Sequence, residues 1–160
     1  MLPIQLLHPA AKIPCKSHPA DAGFDCFSPT NITLTPLSVT KVPLGFALEL
    51  PETEPVYCQI AARSGLAYRG IWPVGGVVDP GYRGELIALL YNSTADSFTI
   101  QVGDRVCQLL FLLFAQTQLV EVPLLKPSTR GSKGLGSTGG LSSQQQHPQS
   151  PPYSGGILLS

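Results

Sequence analysis

Short apolar runs, each stopped by proline, glycine, asparagine or aspartate, restrict the fold of this chain more than any other feature. They read IQLLH (4–8), NITLT (31–35), GFALEL (45–50), VYCQIAA (56–62), GGVV (75–78), ELIALLYN (85–92), SFTIQV (97–102), VCQLLFLLFA (106–115) and LVEVPLL (119–125). Runs of this length and punctuation are strands, and helical periodicity is scarce, so an all-β sandwich or jelly roll is expected. One short helical turn is expected after Arg63-Ser64-Gly65. Several runs are apolar on both faces, VCQLLFLLFA most of all. Such a strand has to be covered twice, by a second sheet and by another subunit.

At 160 residues there is material for one domain with a sizeable core and hardly for two. The charges balance, with 10 Lys+Arg against 10 Asp+Glu. That balance speaks against bulk binding to nucleic acid or to an anionic membrane, while a small polyanion needs only a local cluster of donors. The cysteines Cys15, Cys26, Cys58 and Cys107 form no CxxC pair and have no histidine at metal-ligand spacing, so buried free thiols are the expectation. The start MLPIQLLHPAAK lacks the basic lead and long apolar run of a signal peptide. LLFLLFA (109–115) is too short to span a bilayer. A soluble intracellular protein, cytoplasmic or nuclear, is expected. Composition shifts near Pro127: PSTRGSKGLGSTGG is rich in glycine and serine, and LSSQQQHPQSPPYSGGILLS is low-complexity. The expected division is a β domain over 1–126, a glycine-rich phosphate-binding arm over 127–140 and a disordered tail over 141–160.

GGVVDPGYRGE (75–85) poses a sharper question. A hairpin accounts for the glycines and for Pro80-Gly81, but not for a carboxylate, Asp79, and a ring, Tyr82, on either side of the turn. Elsewhere three clusters suit phosphate. ARSGLA puts Arg63 and Ser64 before Gly65, GDRVCQL opens a strand that carries Gln108, and RGSKGLGSTGG holds Arg130 and Lys133 among glycines. Glycines let backbone amides close over phosphate oxygens. Each cluster alone is also an ordinary turn or linker, and the Walker phosphate-loop pattern is absent.

Taken in order, AGFDCFS (22–28), YCQIAARSGLA (57–67), GGVVDPGYRGELIALLYN (75–92), GDRVCQLL (103–110) and RGSKGLGSTG (130–139) resemble the five ordered motifs of the trimeric dUTPase family. The resemblance implies a jelly-roll homotrimer with active sites at subunit interfaces. The first, second and fourth motifs of a site would come from one chain, the third from another and the arm from the remaining one. It also implies hydrolysis of dUTP to dUMP and pyrophosphate, with Mg2+ on the triphosphate.

By the same resemblance Asp79 activates the water that attacks the α-phosphorus, and Tyr82 packs against the sugar and excludes a 2′-hydroxyl. Gly76, Val77 and Val78 belong to a backbone slot for uracil. Arg63, Ser64, Gly65 and Gln108 grip the triphosphate. Asp25 holds waters of the hydrated Mg2+, as suits an ion that keeps several waters. Arg130, Lys133, Gly134, Leu135, Gly136, Ser137 and Thr138 form the closing arm. Leu135 stands where the family usually has an aromatic, Lys133 replaces a glycine, Cys58 stands at a common glycine and Ala62 at a common proline or serine. Two other readings compete. A dCTP deaminase of the same fold needs a glutamate where this chain has Leu89. A dUTPase-like protein with a decayed site would bind partners without catalysis.

Overall fold

The turn Leu44-Gly45 shows how the chain makes its sheets. Strand β4 (Ser38–Pro43) ends there and β5 (Phe46–Leu48) begins. Gly45 takes φ +75°, a left-handed conformation that suits glycine. Its amide donates to Glu85 Oε1 at 2.9 Å, so a local turn is tied to a segment forty residues away. Similar reversals order the computed structural model, which describes residues 1–132. The chain divides into two units, Met1–Gln118 and Leu119–Ser160.

Among the described residues the first unit holds all the strands. Besides β4 and β5 these are β1 (Ile4–Leu6), β2 (Phe24–Phe27), β3 (Ile32–Leu34), β6 (Val56–Ala61), β7 (Ile71–Pro73), β8 (Val77–Val78), β9 (Ile87–Asn92), β10 (Phe98–Ile100) and β11 (Arg105–Leu113). Every pairing is antiparallel, in the orders β2-β11-β6-β8, β4-β9-β7, β1-β5 and β10-β3. The sheets enclose one core that includes Phe46, Leu34, Leu44, Ile71, Leu90, Ile100, Val106 and Leu109. The expected all-β architecture is the one observed. The single helix among the described residues, α1 (Ser64–Ala67), is the expected short turn and begins at Ser64 itself.

Alternation along β9 explains its place in the middle of a sheet. Ala88, Leu90 and Asn92 are buried, while Ile87, Leu89 and Tyr91 face the other side. That outer face continues through Val39 and Trp72, which flank Tyr91 in register, and it is apolar and partly exposed. The long strand β11 differs from strict alternation. A register shift between Arg105 and Cys107 lets Val106 and Cys107 both be buried, and Leu113 at the far end stays 78% exposed.

The strand expectations need correction at four places. β2, β4 and β7 lie in segments whose proline, aspartate and lysine masked the pattern, and cross-strand pairing made them strands. LVEVPLL (119–125) is not a strand, and Leu119, Val120, Leu124 and Leu125 are exposed. A β-former without a partner strand has nothing to satisfy its ladder. All four cysteines are free, but Cys15 is exposed rather than buried. Cys26 and Cys107 face each other across β2 and β11. A hydrogen bond from Cys107, with burial, pushes the Cys26 thiol far up. Burial pushes Cys58 up to about 12. Among the described residues no helix is long and apolar enough to cross a membrane.

Candidate functional site

The residues of the first four motifs gather in and around two clefts of the first unit. Strand β6 runs between them: Ile60 lines one cleft, and Arg63, three residues on, lines the other.

The first cleft, about 250 Å³, is lined by the β8 hairpin and the turn after it, including Gly76, Val77, Val78, Asp79 and Tyr82. Gly75 and Gly76 both have positive φ, 73° and 93°. A Cβ on Gly76 would lie 2.8 Å from the Ile60 carbonyl, so only glycine lets the backbone come this close. Gln59 Nε2 donates to the Gly75 carbonyl at 3.1 Å and pins the hairpin. Val78 is buried and holds the end of β8 in the core, while Asp79 is exposed. The Tyr82 amide closes back on the Asp79 carbonyl at 3.2 Å, and Gly81 has φ 86°. Proline followed by a left-handed glycine is the sequence signature of a type II turn.

Asp79 and Tyr82 are thus brought to one side of the turn for different reasons. Among the described residues the Asp79 carboxylate has no hydrogen-bond or ion-pair partner. Tyr82 is held by its hydroxyl, which donates to the Glu85 carbonyl at 3.1 Å. Its ring lies against Gly84, where a Cβ would strike the tyrosine oxygen. The other carboxylate in this cleft, Glu85, accepts the Gly45 amide and is occupied as an anchor. Leu89 also lines the cleft.

The second cleft, about 440 Å³, is lined by Arg63, Gly65, Leu66, Arg69, Gly103, Asp104 and Arg105, with apolar side chains at its base. At its edge lies Asp25, whose side chain is only 12% exposed. Arg63 Nε donates to Asp25 Oδ1 at 2.6 Å, and Nη2 reaches Oδ2 at 3.4 Å. Arg105 Nε lies 3.4 Å from the same Oδ2. Ser17 Oγ donates to it at 3.3 Å, from a segment bridged to β2 through Cys15. One carboxylate is therefore shared by two guanidinium groups and a hydroxyl.

Gln108 stands opposite Asp25 on β2 and opposite Ala61 on β6. Its Nε2 donates to the Ala62 carbonyl at 2.7 Å, just ahead of Arg63. Its amide lies where a Cβ on Gly23 would collide, so Gly23 makes room for it. Ser64 and Gly65 open α1 and are exposed, and first-turn amides have no acceptor within a helix. Sequence reasoning missed Ser17, Gln59, Arg69 and Arg105. The only signal for Arg105 was its place in GDRVCQL, and register against Asp25 gives it meaning.

Arg130 lies in the second unit, where the Gly131 amide donates to Ser128 O and Oγ at 3.2 and 3.0 Å. Lys133, Gly134, Leu135, Gly136, Ser137 and Thr138, and the tail over 141–160, lie outside the described residues.

An all-β domain with an exposed carboxylate in one cleft and a guanidinium-rich second cleft defines a class of protein suited to phosphate esters. Comparison with known proteins narrows it. The family model described as dUTPase matches residues 10–139. The deoxyuridine 5'-triphosphate nucleotidohydrolase of vaccinia virus (strain Copenhagen) is 36% identical over 129 residues, 81% of this chain and 86% of the viral one. The protein of the same name from monkeypox virus is also 36% identical, over 81% of this chain and 84% of its own. Among solved structures, the dUTPase of Staphylococcus bacteriophage 80alpha with dUPNHPP superimposes with a TM-score of 0.81 at 26% identity, covering 87% of this chain and 98% of the phage one. The chain belongs to the dUTPase family.

Proposed function

We propose that this protein hydrolyses dUTP to dUMP and pyrophosphate, with Asp79 as the base for the attacking water. The carrying observation is the contrast between its carboxylates. Asp25 and Glu85 are engaged by protein groups, whereas Asp79 is exposed and without a partner among the described residues, beside a tyrosine ring and a glycine hairpin. A base must be reachable by the water whose proton it takes, and Asp79 meets that condition. The viral relatives carry the corresponding name, and the phage relatives are solved with a dUTP analogue.

In this reading the hairpin Gly76 to Val78 receives the base, and Tyr82 lies against the sugar. Arg63, Ser64, Gly65 and Gln108 hold the phosphates so that a water on Asp79 stands in line with the α-phosphorus. Clamps of this kind act mainly by positioning. Water attacks phosphorus, the bond to the bridging oxygen breaks, Asp79 takes the proton and pyrophosphate leaves. Mg2+ suits Asp25 only at second hand. The carboxylate already accepts from two arginines and a serine, and only one of these donors, Arg63 Nε, addresses Oδ1. When bound, the ion neutralises triphosphate charge. A point mutant of phage phi11 dUTPase was described for its structural Mg(II) ion, and its likeness to this chain, 22% identical with a TM-score of 0.71, is one of fold.

The two clefts share no lining residue, which supports sites assembled between chains of a homotrimer. The arm over 127–140, with Arg130 and Lys133 to Thr138, completes such a site, and the tail over 141–160 is dispensable. The decisive assay supplies dUTP or dCTP with Mg2+ and measures pyrophosphate and ammonia. Pyrophosphate from dUTP alone is expected. Ammonia from dCTP would establish a deaminase, and no turnover a binding protein. Light scattering is expected to give a trimer. Co-refolding Asp79→Asn with Arg130→Ala chains is expected to restore part of the activity, and no recovery in verified hybrids overturns shared sites.

A further inference from the structure

Strand β8 leaves its ladder with β6 at Gly76. Cys58 lies opposite Val78 and Gln59 opposite Val77, so the next pair along is Ile60 with Gly76. A hydrogen-bonded antiparallel pair of this kind exchanges two bonds. Only one is made here, from the Ile60 amide to the Gly76 carbonyl at 2.8 Å. The Ile60 carbonyl, where the Gly76 amide would close the pair, accepts instead from Gln59 Nε2 at 3.2 Å. The same nitrogen donates to the Gly75 carbonyl at 3.1 Å. Two carbonyl acceptors require the NH2 end of the glutamine amide at this point, so its orientation is fixed and both of its protons are spent on backbone.

A half-buried glutamine on a strand is common and by itself means little. This one stands in for a backbone donor. The Gly75 carbonyl and the Gly76 amide are the two ends of one trans peptide, and they point in opposite directions. Drawing the carbonyl onto Gln59 therefore aims the amide away from Gln59. Among the described residues the Gly76 amide makes no hydrogen bond, and Gly76 lines the cleft that holds Asp79 and Tyr82. Packing does not hold this peptide, since a Cβ on Gly75 would meet nothing within 4 Å. Two adjacent glycines also tolerate the reversed peptide. Reversal would close the ladder onto the Ile60 carbonyl and turn an acceptor toward the cleft in place of a donor.

We propose that Gln59 is a positioning residue that sets the polarity of the base slot, holding the Gly75-Gly76 peptide so that it offers a donor and not an acceptor. This rests on the reading of the Gly76 to Val78 hairpin as the slot for the base. Uracil carries an acceptor, O4, where cytosine carries a donor, its N4 amino group. A fixed amide therefore favours uracil, and a peptide free to reverse would accommodate cytosine as well. Gln59 touches neither base nor phosphate, so its effect falls on the choice between bases.

The test uses the full chain as Gln59→Met, Gln59→Glu and Gln59→Lys, each checked by circular dichroism and melting. Calorimetric binding of dUMP, dCMP and inorganic tripolyphosphate is measured beside steady-state hydrolysis of dUTP. Gln59→Met keeps the length of the side chain without its donors. It is expected to weaken dUMP and raise KM for dUTP by about tenfold, without weakening dCMP. Tripolyphosphate binding is expected to stay within about twofold. Gln59→Glu sets an acceptor against two carbonyls and is expected to lose at least as much preference for dUMP. It keeps the shape of glutamine, so a folding defect in Gln59→Met does not protect the idea. Gln59→Lys returns a donor and is expected to recover part of the preference. An unchanged preference for dUMP over dCMP in Gln59→Met or Gln59→Glu overturns the proposal. Equal weakening of dUMP, dCMP and tripolyphosphate also overturns it, because that is the mark of a merely structural residue. Wild-type protein with no preference for dUMP over dCMP would instead overturn the parent reading of the hairpin.

Discussion

The two clefts do opposite things with their polar groups. Around Asp79 the shape is made by backbone: two left-handed glycines, a Pro-Gly turn and one buried valine leave the carboxylate exposed. Around Asp25 it is made by side chains, with two arginines, a serine and a neighbouring glutamine brought together from three segments. A reacting group has to remain free to meet water. A group that orients others has to be fully engaged. The difference is what supports the proposed assignment of Asp79 to chemistry and of Asp25 to positioning, even though both are aspartates at motif centres.

The largest expected effect tests that assignment directly. Asp79→Asn keeps the shape of the turn but cannot take the proton, so dUTP turnover is expected to fall by about 10²-fold or more. Binding of dUTP should survive, and near wild-type turnover would make Asp79 a turn residue only. Asp25→Ala probes the other cleft and should strike stability as well. It leaves two guanidinium groups facing each other at a mostly covered position, and removing one partner of such a network costs about 3 kcal/mol. Urea unfolding measures this. The loss should shrink when Arg105→Gln is added, because one of the stranded charges is then gone.

Gly76→Ala sharpens the contrast from the backbone side. A side chain at φ 93° is strained, and the added Cβ would press on the Ile60 carbonyl. A strain of about 1–3 kcal/mol is expected, with dUMP and dUTP weakened alike if the hairpin serves the base as proposed. Selective loss of dUTP would move the hairpin to the phosphate end. The smallest effect concerns the thiols. A thiol reagent should label Cys15 in the native protein and the buried Cys26, Cys58 and Cys107 only after unfolding. The raised thiols also set an alkaline limit. Above pH 9.0 the unfolded chain loses Cys58's proton while the folded one keeps it, so stability is expected to fall as pH rises toward about 12. Urea midpoints at pH 8 and pH 10 would show the drop.

By itself the sequence determined the class of fold and the chemical vocabulary. Most strands announced themselves because alternation and turn residues act over a few positions, and Pro80-Gly81 needs no distant partner. Even so, β2, β4 and β7 became strands only on pairing, and LVEVPLL kept its β-forming residues without a ladder to join. Tertiary structure alone decided what each site residue touches. Arg63 lies 38 positions from Asp25, and their contact depends on β2 and β6 lying on either side of β11 in one register. A one-residue slip would turn Gln108 and Asp25 to the other face. No local pattern carries that information, because register is settled by the burial of Cys26, Cys107 and Leu109 in a core to which every sheet contributes.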